Sequence, residues 1–209
     1  MVVKMNKHSI ITVALAKDPA LIQNALLFIN AIALEAHNAS PPPPPKILFT
    51  ATNGSIVGTI ALDIGDESQQ LPLEEIYQFI TSPFSSEFQR KDVAQYGRWM
   101  CPGIPRISIA LAYIATLYAL HIGKTYGWFE AKPFIANRLS SIGMQLEEIP
   151  DATLLLRNVP EAGRSYYTEQ PAPRIYRMRL EQFASALAGQ VARMIEENIL
   201  LLDTSFLTT

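Results

Sequence analysis

Between Val93 and Gly143 the chain runs strand, proline-glycine loop, apolar helix, strand and helix without interruption, and few architectures accept that succession. Val93-Ala94-Gln95-Tyr96-Gly97-Arg98-Trp99-Met100 is β-rich, and Cys101-Pro102-Gly103-Ile104-Pro105-Arg106 is a loop. Ile107–His121 follows as an apolar helix, then Trp128-Phe129-Glu130-Ala131 as a strand and a helix through Asn137-Arg138-Leu139. The helix Ile107–His121 is apolar nearly all round. It falls short of the about 20 residues that span a bilayer, so it reads as a buried core helix.

Regular elements continue on both sides. Ser9-Ile10-Ile11-Thr12-Val13-Ala14-Leu15-Ala16 is short and β-branched, and Lys17-Asp18-Pro19 follows at once. With Lys4 and Lys7 before it, the run mimics a secretory signal, but it reads better as a first strand. Asp18-Pro19 is an N-cap followed by proline at the first helical position. Leu21, Ile22, Ala25, Leu26, Ile29, Ile32 and Ala33 then keep helical spacing to about His37. Pro41–Pro45 end that helix and read as a stiff spacer, or as a ligand for a proline-binding module. The Pro-rich loop covers 38–46.

Lys46–Ala51 and Ser55–Leu62 flank Thr52-Asn53-Gly54, a hairpin signal. A short helix opens at Leu71-Pro72-Leu73-Glu74, and Asp151–Glu169 reads as an irregular surface excursion. Arg174–Arg179 alternates as a strand, and an amphipathic helix covers about 180–200 with Phe183, Leu187, Val191, Met194 and Ile195 on one face. The whole predicts one α/β domain over 1–209, a central mixed β-sheet with helices on both faces.

Composition narrows the function. Charged residues are 17% of the chain with a net charge of −2, which argues against a nucleic-acid binder. One cysteine, Cys101, excludes an internal disulfide framework, and His8, His37 and His121 lack metal-ligand spacing, so no metal is expected. No phosphate-binding loop, dinucleotide fingerprint or nucleophile elbow is present. No transmembrane segment and a cytoplasmic location are expected.

The order of elements resembles the GCN5-related N-acyltransferase (GNAT) superfamily over nearly the whole chain. Two groups within it are most similar. Gln95-Tyr96-Gly97-Arg98 resembles the Glu-x-Gly/Ser-Arg motif of the long-chain N-acyl amino acid synthases, kin to acyl-homoserine-lactone synthases. Pro102-Gly103 ahead of the apolar helix, and Ser165-Tyr166-Tyr167 with Pro171, resemble the thermostable haemolysin family. The likeness covers roughly residues 55–180.

The resemblance implies a donor site at Met100, Cys101, Gly103, Ile104, Arg106, Ile107, Ser108 and Asn137. The co-substrate would be acyl-CoA or an acyl-phosphopantetheine on an acyl carrier protein, with no permanently bound cofactor. Gln95, Arg98, Trp99 and Tyr166 would meet a small amine acceptor, and Arg98, Glu130 and Tyr167 would carry catalysis.

The sequence departs from the pattern twice. Glutamine at 95 cannot act as a general base, which passes that role to Glu130, a tyrosine or water. Pro102 and Pro105 each remove a backbone donor from the phosphate loop, and Arg106 is the cation at hand. Arg98 is either the clamp for an acceptor carboxylate or half of an ion pair with Glu130 or Glu147. Trp99, Met100 and Trp128 are core residues or acyl-chain walls. Cys101 has no histidine near it in sequence to activate a thiolate nucleophile.

Two functions follow. One is transfer of a fatty acyl group from a thioester to the amine of an amino acid. The other is a degenerate GNAT-type protein of the haemolysin kind that binds lipid or an acylated carrier, or acts on membranes.

Overall fold

The computed structural model describes residues 10–38, 45–86, 88–103 and 105–208; Pro41–Pro44 and Ile104 lie outside them. The Ile10–Ala16 run forms β1 (Ile11–Leu15), with Val13 fully buried. Asp18 then caps α1 (Pro19–His37): its Oδ1 accepts from Ala20 N at 2.7 Å and Leu21 N at 3.4 Å. Asn38 closes the helix at φ +46°. The stretch Pro19–Ala36, with mean hydropathy 1.4, is by length and composition able to cross a membrane. In this structure its stripe Ala25, Ile29 and Ala33 is buried, Ala25 and Ile29 in a cluster with Leu48 and Ala61 of the sheet.

The Asn53-Gly54 turn joins β2 (Ile47–Thr52) to β3 (Ile56–Ile64), with Gly54 at φ +68°. Next come α2 (Pro72–Ile76), β4 (Tyr77–Phe79) and β5 (Val93–Met100). The apolar helix α3 (Pro105–His121) begins two residues earlier than the sequence predicts, because Pro105 suits a first helical turn. β6 (Tyr126–Ala131), α4 (Pro133–Ser141) and β7 (Glu147–Glu148) follow.

The segment expected to be irregular holds β8 (Ala152–Leu154), which pairs antiparallel with β4, and α5 (Arg164–Thr168). After β9 (Arg174–Arg179), α6 (Leu180–Glu196) ends before 200. Asn198 turns at φ +54°, and β10 (Leu200–Leu202) returns to the sheet parallel to β1. The buried stripe of α6 is Leu180, Phe183, Leu187, Val191 and Met194; Ile195, expected on it, is 45% exposed.

The alternation of elements predicts a mixed sheet, and one is found: eight strands in the order β10-β1-β2-β3-β5-β6-β9-β7, with β4-β8 as a separate pair. α3 and α6 cover one face, where Ile60, Leu62, Ala94 and Tyr96 meet Leu111, Ile114, Phe183 and Leu187. On the other face α1 covers one flank. There α2 and β4 cover Val93, Trp128 and Ile175.

Candidate active site

The site begins with an irregularity in β5. Pairing with β3 steps from Ala61↔Gly97 to Thr59↔Met100, so β5 carries one extra residue. Arg98 absorbs it at φ +47°, a region side chains rarely enter, which makes this a β-bulge. The fully buried Thr59 donates its hydroxyl to the Arg98 carbonyl at 3.0 Å, pairing that oxygen where the ladder is broken. The bulge also shifts the alternation. Ala94 and Tyr96 pack in the α3–α6 core, and beyond the bulge so do Trp99 and Cys101, while Met100 joins the α1 side.

On its other edge β5 runs parallel to β6 only from Val93↔Tyr126 to Gln95↔Trp128. Beyond that, β5 continues on β3, while β6 stays on β9 through Glu130↔Ile175 and Ala131↔Arg174. The two strands part, with no β5–β6 pairing among the described residues past Gln95.

Beyond the end of β5 lie the loop and α3. Gly103 is exposed at φ +78°, and Ile107 is buried, fixing the first turn of α3 to the sheet. Burial pushes the Cys101 thiol up to about 12, against weaker opposing hydrogen bonds from the Thr59 backbone and the Ser108 side chain. A thiol held that high is not a nucleophile at neutral pH. Arg106 is exposed, with its guanidinium 3.5 Å from Glu197. Asn137 is exposed on α4.

The polar residues gather on the α1–α2 face. Alternation along β6 puts Glu130 on the side of Trp128 and α2. Tyr167 of α5 donates to Glu130 Oε1 at 2.7 Å, and Tyr77 of β4 donates to Oε2 at 3.3 Å. Burial raises the Glu130 carboxyl to about 7, and the two phenols pull it partly back. Burial, and next the Glu130 charge, raise Tyr77, Tyr166 and Tyr167 well above an ordinary phenol. Tyr166 packs edge-on to Tyr167 at 5.2 Å. The buried Lys132 lies over the Tyr166 ring at 5.4 Å and donates to the carbonyl and carboxylate of Glu169, both at 3.1 Å.

Arg98 pairs with neither Glu130 nor Glu147. Its Nη1 lies 3.9 Å from Asp63 of β3, and Glu147 is held by Arg177. Burial raises Asp63 and lowers Arg98, each partly countered by the other's charge. Gln95 is buried, and its Oε1 accepts from Leu73 N at 2.9 Å, tying α2 to the sheet. The indole N–H of Trp99 is buried with no acceptor among the described residues.

The structure therefore brings Glu130, Tyr166 and Tyr167 together and keeps Cys101, Ile107 and Ser108 at the start of α3. Sequence reading missed Tyr77, Asp63 and Lys132. A lone aspartate inside Leu62-Asp63-Ile64 was a usable signal; Tyr77, 53 residues from Glu130, gave none. A cleft of about 400 Å³ lies at the opposite end of β6, against Phe88, Tyr126, Arg177 and Arg179, and no candidate residue lines it.

The sequence matches no family model and no curated protein. Solved structures do share the architecture. FeeM, an N-acyl amino acid synthase from uncultured soil microbes, is 16% identical with a TM-score of 0.59, over 85% of this chain and 95% of that one. BjaI, a CoA-dependent acyl-homoserine lactone synthase seen with SAM and isopentyl-CoA, is 12% identical with a TM-score of 0.59, over 93% of each. The AHL synthase LasI is 12% identical with a TM-score of 0.58, over 88% of this chain and 96% of that one.

The chain has the GNAT fold. In this GNAT fold β5 and β6 are the parted strands, with the loop and α3 beyond the end of β5. The Glu130 and Arg98 clusters come from the two strands on either side of the parting.

Proposed function

We propose that this protein transfers an acyl group from a thioester to an amine, with a fatty acyl chain and an amino-acid acceptor as the favoured pair. The observation that carries the reading is the parting of β5 and β6 after Gln95 and Trp128, with a carboxylate raised to about 7 on the strand beside it. A parted pair leaves backbone groups to hold an extended thioester arm. The buried indole N–H of Trp99 is a further donor in want of a carbonyl. BjaI, which shares the fold, is CoA-dependent, and this supports an acyl-CoA or carrier-bound phosphopantetheine donor.

In this reading the donor's phosphates lie at the loop and first turn of α3. Gly103, Arg106, Ile107 and Ser108 keep their backbone N–H groups there, and a helix N-terminus favours an anion. Met100 and Cys101 border the arm, and Asn137 meets it from α4. The amine attacks the thioester carbon and gives up a proton to Glu130; the carbon–sulfur bond breaks, and the proton returns to sulfur through Tyr167. A carboxyl near 7 can take and release that proton at neutral pH. Arg98 exchanges its loose contact with Asp63 for the acceptor's carboxylate, a geometry that suits the guanidinium fork. Gln95 and Tyr166 wall the acceptor's side.

A second reading, a GNAT-fold protein that binds acylated carriers or lipid without turnover, is favoured by the buried neutral Gln95, which is committed to α2. One experiment separates them. Calorimetric titration with acyl-CoAs of increasing chain length, on the wild type and Arg106→Ala, is run beside a thiol-release assay with amino acids added. Transfer requires saturable binding, weakened in the variant, and acceptor-dependent thiol release. Binding without release supports the second reading, and absence of both, with carrier-bound donors included, overturns the first.

A further inference from the structure

The Glu130 carboxylate is held from two directions by elements far apart in the chain. One phenol, Tyr167, comes from α5. The other, Tyr77, is 4% exposed at the junction of α2 and β4, where its backbone N–H closes α2 on the Leu73 carbonyl. That junction is built to stay put. Gln95 Oε1 accepts from Leu73 N at 2.9 Å, and Glu74 is gripped by Arg90 through Nε and Nη2, both at 2.8 Å. Tyr77 itself pairs with Leu154 in the β4–β8 ladder. Gln95, which cannot serve as a base, thus fixes the short helix that delivers a phenol to Glu130, which can.

We propose that Tyr77 is a positioning residue of the acyl-transfer site, orienting the second oxygen of Glu130 and setting the pH at which that carboxyl takes up a proton. The inference rests on the transfer reading for its purpose, but not for its physics. The titratable groups that meet Glu130 are Tyr77 from β4 and Tyr166 and Tyr167 from α5. Lys132, just past the end of β6 at the start of α4, is committed to Glu169. A phenol that donates to the ionised carboxylate favours it, so loss of the Tyr77 hydroxyl must move the Glu130 midpoint upward.

The test is a carbon-13 NMR titration of the full chain labelled at glutamate side-chain carboxyls, with Glu130→Gln identifying the resonance. Tyr77→Phe, which keeps the ring in its apolar cluster, is expected to raise the midpoint by about half a unit or more. 3-Fluorotyrosine at position 77, a more acidic phenol of nearly the same size, is expected to lower it; this arm also serves if the Phe variant folds poorly. A midpoint unchanged in a folded Tyr77→Phe protein, or unmoved by the fluorinated ring, overturns the proposal. A structural role alone would lower the melting temperature without moving the midpoint. The titration needs no substrate, so failure of the acyl-transfer reading would appear separately, as absent thiol release with the midpoint shift intact. Where transfer is present, the acidic limb of its pH profile is expected to move with the midpoint.

Discussion

Glu130 reverses the usual relation between carboxylates and acid. Its folded value of about 7 lies above the ordinary 4.5, so between those pH values the native chain binds more protons at this site than the unfolded chain does. Stability contributed at Glu130 is therefore fully present below about 4.5, is lost as pH rises through about 7, and does not return above it. Glu130→Gln should raise the urea midpoint at pH 8 and leave it nearly unchanged at pH 5; a lower midpoint at pH 8 would show that the charge stabilises the fold. Arg98 sits under a different constraint. Its backbone is strained at φ +47°, and its guanidinium lies 3.9 Å from the Asp63 carboxylate. Arg98→Lys keeps the charge but loses the planar fork. It should raise the acceptor KM about tenfold with little effect on donor affinity. An unchanged KM in steady-state assays would remove Arg98 from the acceptor site.

The elements of this chain divide by how they are specified. α1 is legible because Asp18, Pro19 and a helical apolar stripe act within a few residues of one another. The β2–β3 hairpin is legible because Asn53-Gly54 supplies its turn locally. β4, β7, β8 and β10 were not legible. They are two or three residues long, too short for any period, and exist only because a partner strand is beside them. The seat of α3 lies between these cases, since its apolar sequence predicts a helix but not its closeness to β3. A Cβ on Gly58 would lie 2.8 Å from Cys101 Sγ and 3.0 Å from Leu111 Cδ1. Gly58→Ala should therefore lift the start of α3, costing about 1–3 kcal/mol in thermal melts. It should also speed the reaction of Cys101 with a thiol reagent; protection equal to wild type would mean the helix had not moved.

At the scale of the molecule, the C-terminal end of the described chain completes the sheet and core. β10 pairs with β1, and Phe206 meets Phe49 at 6.2 Å and Tyr118 at 5.2 Å, edge to face. Phe206→Ala should cost about 3–5 kcal/mol, read as a lower urea midpoint, while binding of a donor at the distant loop persists. The amino-acid sequence alone determined the order of the longer helices and strands, most of their buried faces and the mixed sheet between two helical layers. Capping, turn chemistry and periodicity act over a few residues, and the chain spells them out. Only the tertiary structure decided the bulge at Arg98, the parting of β5 from β6, the Asp63 partner and the meeting of Tyr77 and Tyr167 on one carboxylate. Those depend on which backbones the sheet brings within hydrogen-bonding reach. Partners 53 and 37 residues away leave no local trace in the sequence around Glu130.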